Sequence, residues 1–115
     1  MIRSLLLAAS VLLLAGCVTA PSHYAWGSYE DLIYAPHSAP GKLPPEKQVE
    51  VLEKEFQESR ASNKPVPPGW HAQLGYLYYQ LGRTDQARQE LATEKANFPE
   101  SAVFMDRLLT HLEKH

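Results

Sequence analysis

Apolar and polar positions divide the chain into three stretches of different period. Leu5 to Leu14 is an apolar run of about ten residues behind the basic start Met1-Ile2-Arg3-Ser4. That is the length of a signal peptide's hydrophobic region and too short for a membrane-spanning helix. Val18 to Leu43 has no steady period. Pro21, Pro36 and Pro40, with Gly27 and Gly41, punctuate it, yet Tyr24, Trp26, Tyr29, Leu32, Ile33 and Tyr34 crowd its middle. A disordered tether is poor in such residues, so a short helical or extended element is expected from Ser28 to Tyr34. From Pro44 onward the period is helical.

Pro44-Pro45-Glu46 opens the first helix, with proline near the first turn and an acid at the positive end of the dipole. Val49, Leu52 and Phe56 follow at i, i+3, i+7 and form its apolar stripe. Glu50 and Lys54 are spaced for an i, i+4 pair, and Glu53, Glu55 and Glu58 are expected on a solvated face. Ser59 to Pro65 ends the helix, and Lys64-Pro65-Val66-Pro67-Pro68-Gly69 is a stiff connection. The second helix is predicted from about Trp70 to Leu81, because Leu74, Leu77, Tyr78 and Leu81 complete the i, i+3, i+4, i+7 pattern. Gly82-Arg83 breaks it. Thr84 and Asp85 read as N-cap and first-turn acid of a third helix, whose inward side carries Ala87, Leu91 and Phe98 until Pro99 stops it. Ser101 is expected to cap a fourth helix with Phe104, Leu108 and Leu112 on one face, widened by Met105 and Leu109.

The predicted fold class is all-α: a small antiparallel helical-hairpin domain with flanking helices, after an irregular aromatic N-terminal segment. The expected division is residues 1–16 as signal peptide, 17–43 as the N-terminal aromatic segment, and 44–115 as the helical domain. About 70 residues of helix make a small and marginal core. The outer face of the last helix would need cover from the N-terminal aromatics or from a partner.

Charge and cysteine content narrow the picture. A net charge of −2 argues against a nucleic-acid binder, whose phosphate contacts need a basic face. Cys17 is the only cysteine, so no intrachain disulfide and no CxxC centre can form. Leu14-Ala15-Gly16-Cys17, directly after the apolar run, resembles the lipobox of bacterial lipoproteins. That resemblance implies cleavage before Cys17, a diacylglycerol on its thiol and an acyl chain on its new amino group. Each buried methylene contributes about 0.8 kcal/mol, so two or three chains anchor a protein stably. Val18 rather than Asp after the cysteine implies sorting to the outer membrane, with the polypeptide facing the periplasm.

Leu74-Gly75-x-x-Tyr78, then Gly82, Ala87, Leu91 and Pro99, resembles one tetratricopeptide repeat, a helix–turn–helix unit of about 34 residues. Small Gly75 and Ala87 let two antiparallel helices approach, Tyr78 and Leu91 fill the space between them, and Gly82 takes the turn. His71 stands near the repeat's usual Trp, and Glu94 stands where a small residue is usual. Only one repeat is recognisable, so the peptide groove of long arrays is not expected. Tyr24-x-Trp26-Gly27-x-Tyr29-Glu30, Val66-Pro67-Pro68-Gly69, Leu74-Gly75-Tyr76-x-Tyr78-Tyr79 and Phe98-Pro99-Glu100-Ser101 together resemble a family of small bacterial lipoproteins, domain-of-unknown-function family 4810. The resemblance implies a periplasm-facing lipoprotein and envelope partners. Those partners include a lipoprotein resembling the curli secretion channel and another small lipoprotein. It implies no activity.

Candidate chemistry is sparse. The chain has no Gly-rich phosphate loop, no G-x-S-x-G and no H-E-x-x-H. His111 and His115 stand at i, i+4 without a third ligand, so no metal is expected, nor any cofactor beyond the lipid on Cys17. His71 is expected to pack or cap. His23 and His37 lie in Pro-rich surroundings. The candidate partner-binding residues are Tyr24, Trp26, Tyr29, Tyr76 and Tyr79, since aromatic rings dominate interface hot spots. The first three either dock on the helices and complete the core or anchor another protein. The expected function is that of a non-enzymatic outer-membrane lipoprotein, an accessory or scaffold component of a periplasmic envelope complex. The alternative is a cell-wall binding or remodelling factor that stacks its tyrosines on sugars.

Overall fold

The computed structural model describes residues 1–2 and 20–114. The run Leu5 to Leu14, the motif Leu14-Ala15-Gly16-Cys17 and His115 lie outside the described residues. Among the described residues all regular structure is helical: α1 (Tyr29–Ser38), α2 (Pro45–Ala61), α3 (Trp70–Gln80), α4 (Thr84–Asn97), a 3-10 turn (Pro99–Ser101) and α5 (Ala102–Glu113). None of these helices is long and apolar enough to cross a membrane.

The hairpin of α3 and α4 is the centre. Leu74, Leu77 and Tyr78 meet Ala87 and Leu91 in one buried cluster. Gly75 sets their spacing: a Cβ there would lie 3.2 Å from both the Ala87 carbonyl oxygen and the Leu91 side chain. The turn closes tightly, with the Arg83 N–H donating to the Tyr78 carbonyl at 2.8 Å. On one side α2 lays Val49 and the fully buried Leu52 against α3, and Phe56 stacks on Trp70 with ring centroids 5.4 Å apart. On the other side α5 contributes Met105 and Leu112.

Four local expectations change. The short element at Ser28 is a helix that runs past Tyr34 and through Pro36 to Ser38. Tyr29 and Leu32 bury one face of it, and Pro36 sits near its end, where a missing N–H costs only the bond to Leu32. At α4, Arg83 holds the N-cap position and Thr84 is already helical. The turn at Gly82 brings the Arg83 carbonyl into the first helical bond, 3.0 Å from the Ala87 N–H. Ser101 precedes α5 but does not cap it. Held in the 3-10 turn, its hydroxyl donates to the Phe98 carbonyl at 2.7 Å. Finally, the buried stripe of α5 starts at Met105, continues through Leu108 and Leu109, and ends at Leu112. Phe104, about 100° away on the helical wheel, is 60% exposed.

The close approach at Gly75 gives a direct test. Leucine at this position must displace the Ala87 backbone or Leu91, and overpacking of this kind costs about 1–3 kcal/mol. Thermal unfolding of Gly75→Leu should show a clearly lowered Tm, and wild-type unfolding would contradict the packing described.

Candidate interaction site

Helix α3 starts at Gly69, which has φ +90 and no side chain to cap the helix. The cap comes from across the hairpin. Glu94 of α4, 2% exposed, accepts the Gly69 N–H on Oε1 at 2.6 Å and the Ala72 N–H on Oε2 at 3.3 Å. A carboxylate is well matched to this position, because helix N-termini concentrate unpaired donors and positive potential. Tyr29 of α1 roofs the same point: a Cβ on residue 69 would lie 2.5 Å from its hydroxyl. Gly69 is thus required twice, by its left-handed backbone and by the phenol above it. Burial, and then the charge of Glu94, raise the Tyr29 pKa above the ordinary phenol value.

The aromatic segment is docked on the helices. The Ala25 N–H donates to the Pro65 carbonyl at 2.8 Å, and the Ser28 N–H donates to Glu55 Oε1 at 2.7 Å. Tyr24 meets Phe98 edge-on at 6.4 Å, and Trp26 lies tilted over Tyr29 at 6.2 Å. The three candidate rings therefore divide. Tyr29 is a core residue, 7% exposed, because its helix turns it over Gly69. Tyr24 is half-buried, and Trp26 is 40% exposed. The second pair lies elsewhere. Tyr76 (55% exposed) and Tyr79 (39%) stand on α3 beside an apolar pocket of about 250 Å³ floored by Gly75, Leu91, Leu108 and Leu112. His111 of α5 lies edge-on to Tyr79 at 6.3 Å.

The glutamates expected on a solvated face of α2 are corrected in part. Glu53 accepts a hydrogen bond from the Tyr78 hydroxyl, and Glu55 holds Ser28. Glu53 and Glu58 remain exposed as expected, and only Glu55 is half-buried. Glu58 pairs with Lys54 at 3.8 Å, while Lys47 takes Glu50 at 2.8 Å in place of the expected Glu50–Lys54 pair. The sequence reading also missed Glu90. His71 is buried edge-on to Trp70 and Phe56, and its Nδ1 lies 2.6 Å from Glu90 Oε2. Ser59 does not complete a nucleophile arrangement with this pair, because its hydroxyl donates to the Lys64 carbonyl. The available signal was Glu90 and Glu94 at i, i+4, one turn apart on α4. Among the described residues no three His, Asp or Glu side chains gather as a metal site.

Residues 23–108 match the family described as Domain of unknown function (DUF4810). The matched span includes the docked segment, the capped hairpin and most of α5. No curated protein and no solved structure matches the chain.

Two outcomes follow from the buried carboxylates and phenols. Glu94→Ala leaves the Gly69 and Ala72 N–H groups without their acceptor and should destabilise the fold by about 2–4 kcal/mol. Glu94→Gln retains one acceptor and should lose less. Equal Tm values for Glu94→Ala and wild type would contradict the cap. Tyr78 is pushed well above the ordinary phenol pKa by burial first, then by its bond to Glu53 and the charges of Glu53 and Glu90, with Arg83 opposing. Tyr29 and Tyr78 therefore hold their protons more tightly folded than unfolded. Their contribution is complete below the unfolded pKa of about 10 and is lost as pH rises beyond it. Thermal unfolding at increasing alkaline pH should show Tm falling above about pH 10, less steeply in Tyr78→Phe. An unchanged slope in that variant would assign the loss to other groups.

Proposed function

Because the chain belongs to the family described as Domain of unknown function (DUF4810), whose description carries no activity, we propose a function from its own residues. It is a non-enzymatic lipoprotein, anchored in the outer membrane through acylated Cys17 and facing the periplasm, that serves as an accessory or scaffold in an envelope complex. Leu14-Ala15-Gly16-Cys17 after a signal-length apolar run supports the anchor. We read α3 and α4 as one tetratricopeptide-like repeat, a reading supported by Gly75 against Ala87 and Leu91 and by the turn at Gly82. On this reading residues 1–16 are the signal, 17–43 the lipidated segment and 44–115 the helical domain.

The observation that carries the scaffold role is the exposed pair Tyr76 and Tyr79 beside an apolar pocket at the junction of α3, α4 and α5. Exposed tyrosines over a pocket are the usual anchor of a protein interface, with a ring to bury and a hydroxyl for the rim. Val103 and Phe104, also exposed, enlarge the apolar surface of α5. The partner is an envelope lipoprotein of the kind implied by the family resemblance.

Two measurements test this in cells. Wild-type protein should incorporate labelled palmitate and fractionate with outer membranes. Cys17→Ser should incorporate none, and an unlabelled wild-type protein in the soluble periplasmic fraction would end the lipoprotein reading. A photocrosslinking residue at position 76 or 79 should trap one neighbouring lipoprotein, while the same residue at exposed Asp85 should not. Indistinguishable crosslinking from these positions would remove the scaffold role from this face.

A further inference from the structure

A second recess lies away from Tyr76 and Tyr79. It is a cleft of about 630 Å³ between the N-terminal segment, the end of α2 and its following loop, the start of α3 and the end of α4. Its charge is one-sided. Arg60, Lys64 and His23 line it together with buried His71, and no Asp or Glu does, although the chain has 13 acids against 11 Lys and Arg. Glu90, the partner of His71, is outside the lining. Lys47, Lys54, Arg88 and Lys95 sit in ion pairs. Arg60 and Lys64, like Lys42, Arg83, Arg107 and Lys114, form none among the described residues, and of these six only Arg60 and Lys64 line the cleft. Two unneutralised cations on a wall without carboxylates favour an anionic occupant.

The remaining lining narrows the ligand. Tyr24, Phe56 and Phe98 supply ring surfaces, and Asn63, Thr93 and Asn97 supply side-chain amides and a hydroxyl. Thr93 donates to the Gln89 carbonyl, so its oxygen remains able to accept. Ring surfaces suit the C–H face of a sugar, amides suit hydroxyl and acetamido groups, and the cations suit a carboxylate. The volume falls within the range of small-molecule clefts. We propose that this cleft binds a carboxylate-bearing amino sugar, the chemistry of the muramic acid units of cell-wall glycan. The source of the ligand rests on the envelope location given above. The site does not use Tyr76 or Tyr79, so its failure would leave the partner-binding reading standing.

The test uses the full chain in detergent micelles and two probes, N-acetylmuramic acid and N-acetylglucosamine, which differ in the lactyl carboxylate. Saturation-transfer difference spectra at millimolar ligand should show transfer to N-acetylmuramic acid. N-acetylglucosamine should bind about tenfold more weakly, the effect expected of two solvent-screened ionic contacts. Arg60→Gln with Lys64→Gln should weaken N-acetylmuramic acid by a similar factor. Asn97→Asp, a separate exposed position, should weaken it by placing a like charge on the wall. Thermal unfolding of each variant checks that the fold is intact. No transfer to wild-type protein, equal binding of both sugars, or undiminished binding by the folded double variant would each overturn the proposal.

Discussion

The amide hydrogens that open α3 have no acceptor on their own helix, and Glu94 meets them from across the hairpin. This interaction ties three segments at one point. It locks the start of α3 to the last turn of α4, and it lies beneath Tyr29, the residue that brings α1 onto the domain. The stiff connection before α3 makes such a tie necessary. Pro65, Pro67 and Pro68 lack amide hydrogens, and Gly69 lacks a capping side chain. A small residue at position 94 would leave the helix end buried without a partner, a costly state for polar groups removed from water.

Glu94 is one of several carboxylates used in this way. Glu53 holds Tyr78 of α3, Glu55 holds Ser28 at the start of α1, and Glu90 holds His71. Each links segments far apart in the chain. The apolar cluster is small, and with a single cysteine no intrachain disulfide can reinforce it. Charge-assisted hydrogen bonds are stronger than neutral ones, so a few of them placed between segments supply the specificity that a small core lacks. The lysines and arginines are distributed differently. Some pair along one helix, as Lys47 and Lys54 do; Lys95 ties α4 to Asp106 of α5; and Arg60 and Lys64 form no ion pair beside the cleft.

Much of the fold could be read from periodicity. Leu74, Leu77 and Tyr78 face Ala87 and Leu91 as their spacing requires, and Gly75 lies at the point of closest helix approach. What periodicity misses has identifiable causes. Met105 and Phe104 are adjacent and both apolar, so the phase of α5 was set by tertiary packing rather than by pattern. Glu53, Glu55 and Glu94 resemble ordinary helix-surface acids, and their partners lie more than twenty residues away in the chain. Among the aromatic residues, composition marked the segment as more than a tether and left docking or partner anchoring open, and no period separates Tyr29 from Trp26. Only the turn of α1 over Gly69 does so. The cleft lined by Arg60 and Lys64 was likewise invisible, because it assembles side chains from four separate stretches.

The aromatic segment and the capped hairpin are expected to unfold as one cooperative unit. Native-state hydrogen exchange of single amides tests it most directly, because local opening and global unfolding give different protection. The Gly69 and Ala72 amides, held by Glu94, and the Ser28 amide, held by Glu55, should all exchange only through the opening that exposes the core amides of α3. Rapid exchange at Gly69 and Ala72 would contradict the cap. A protected Gly69 with a freely exchanging Ser28 would show a segment that is detached from the hairpin and would contradict the single unit.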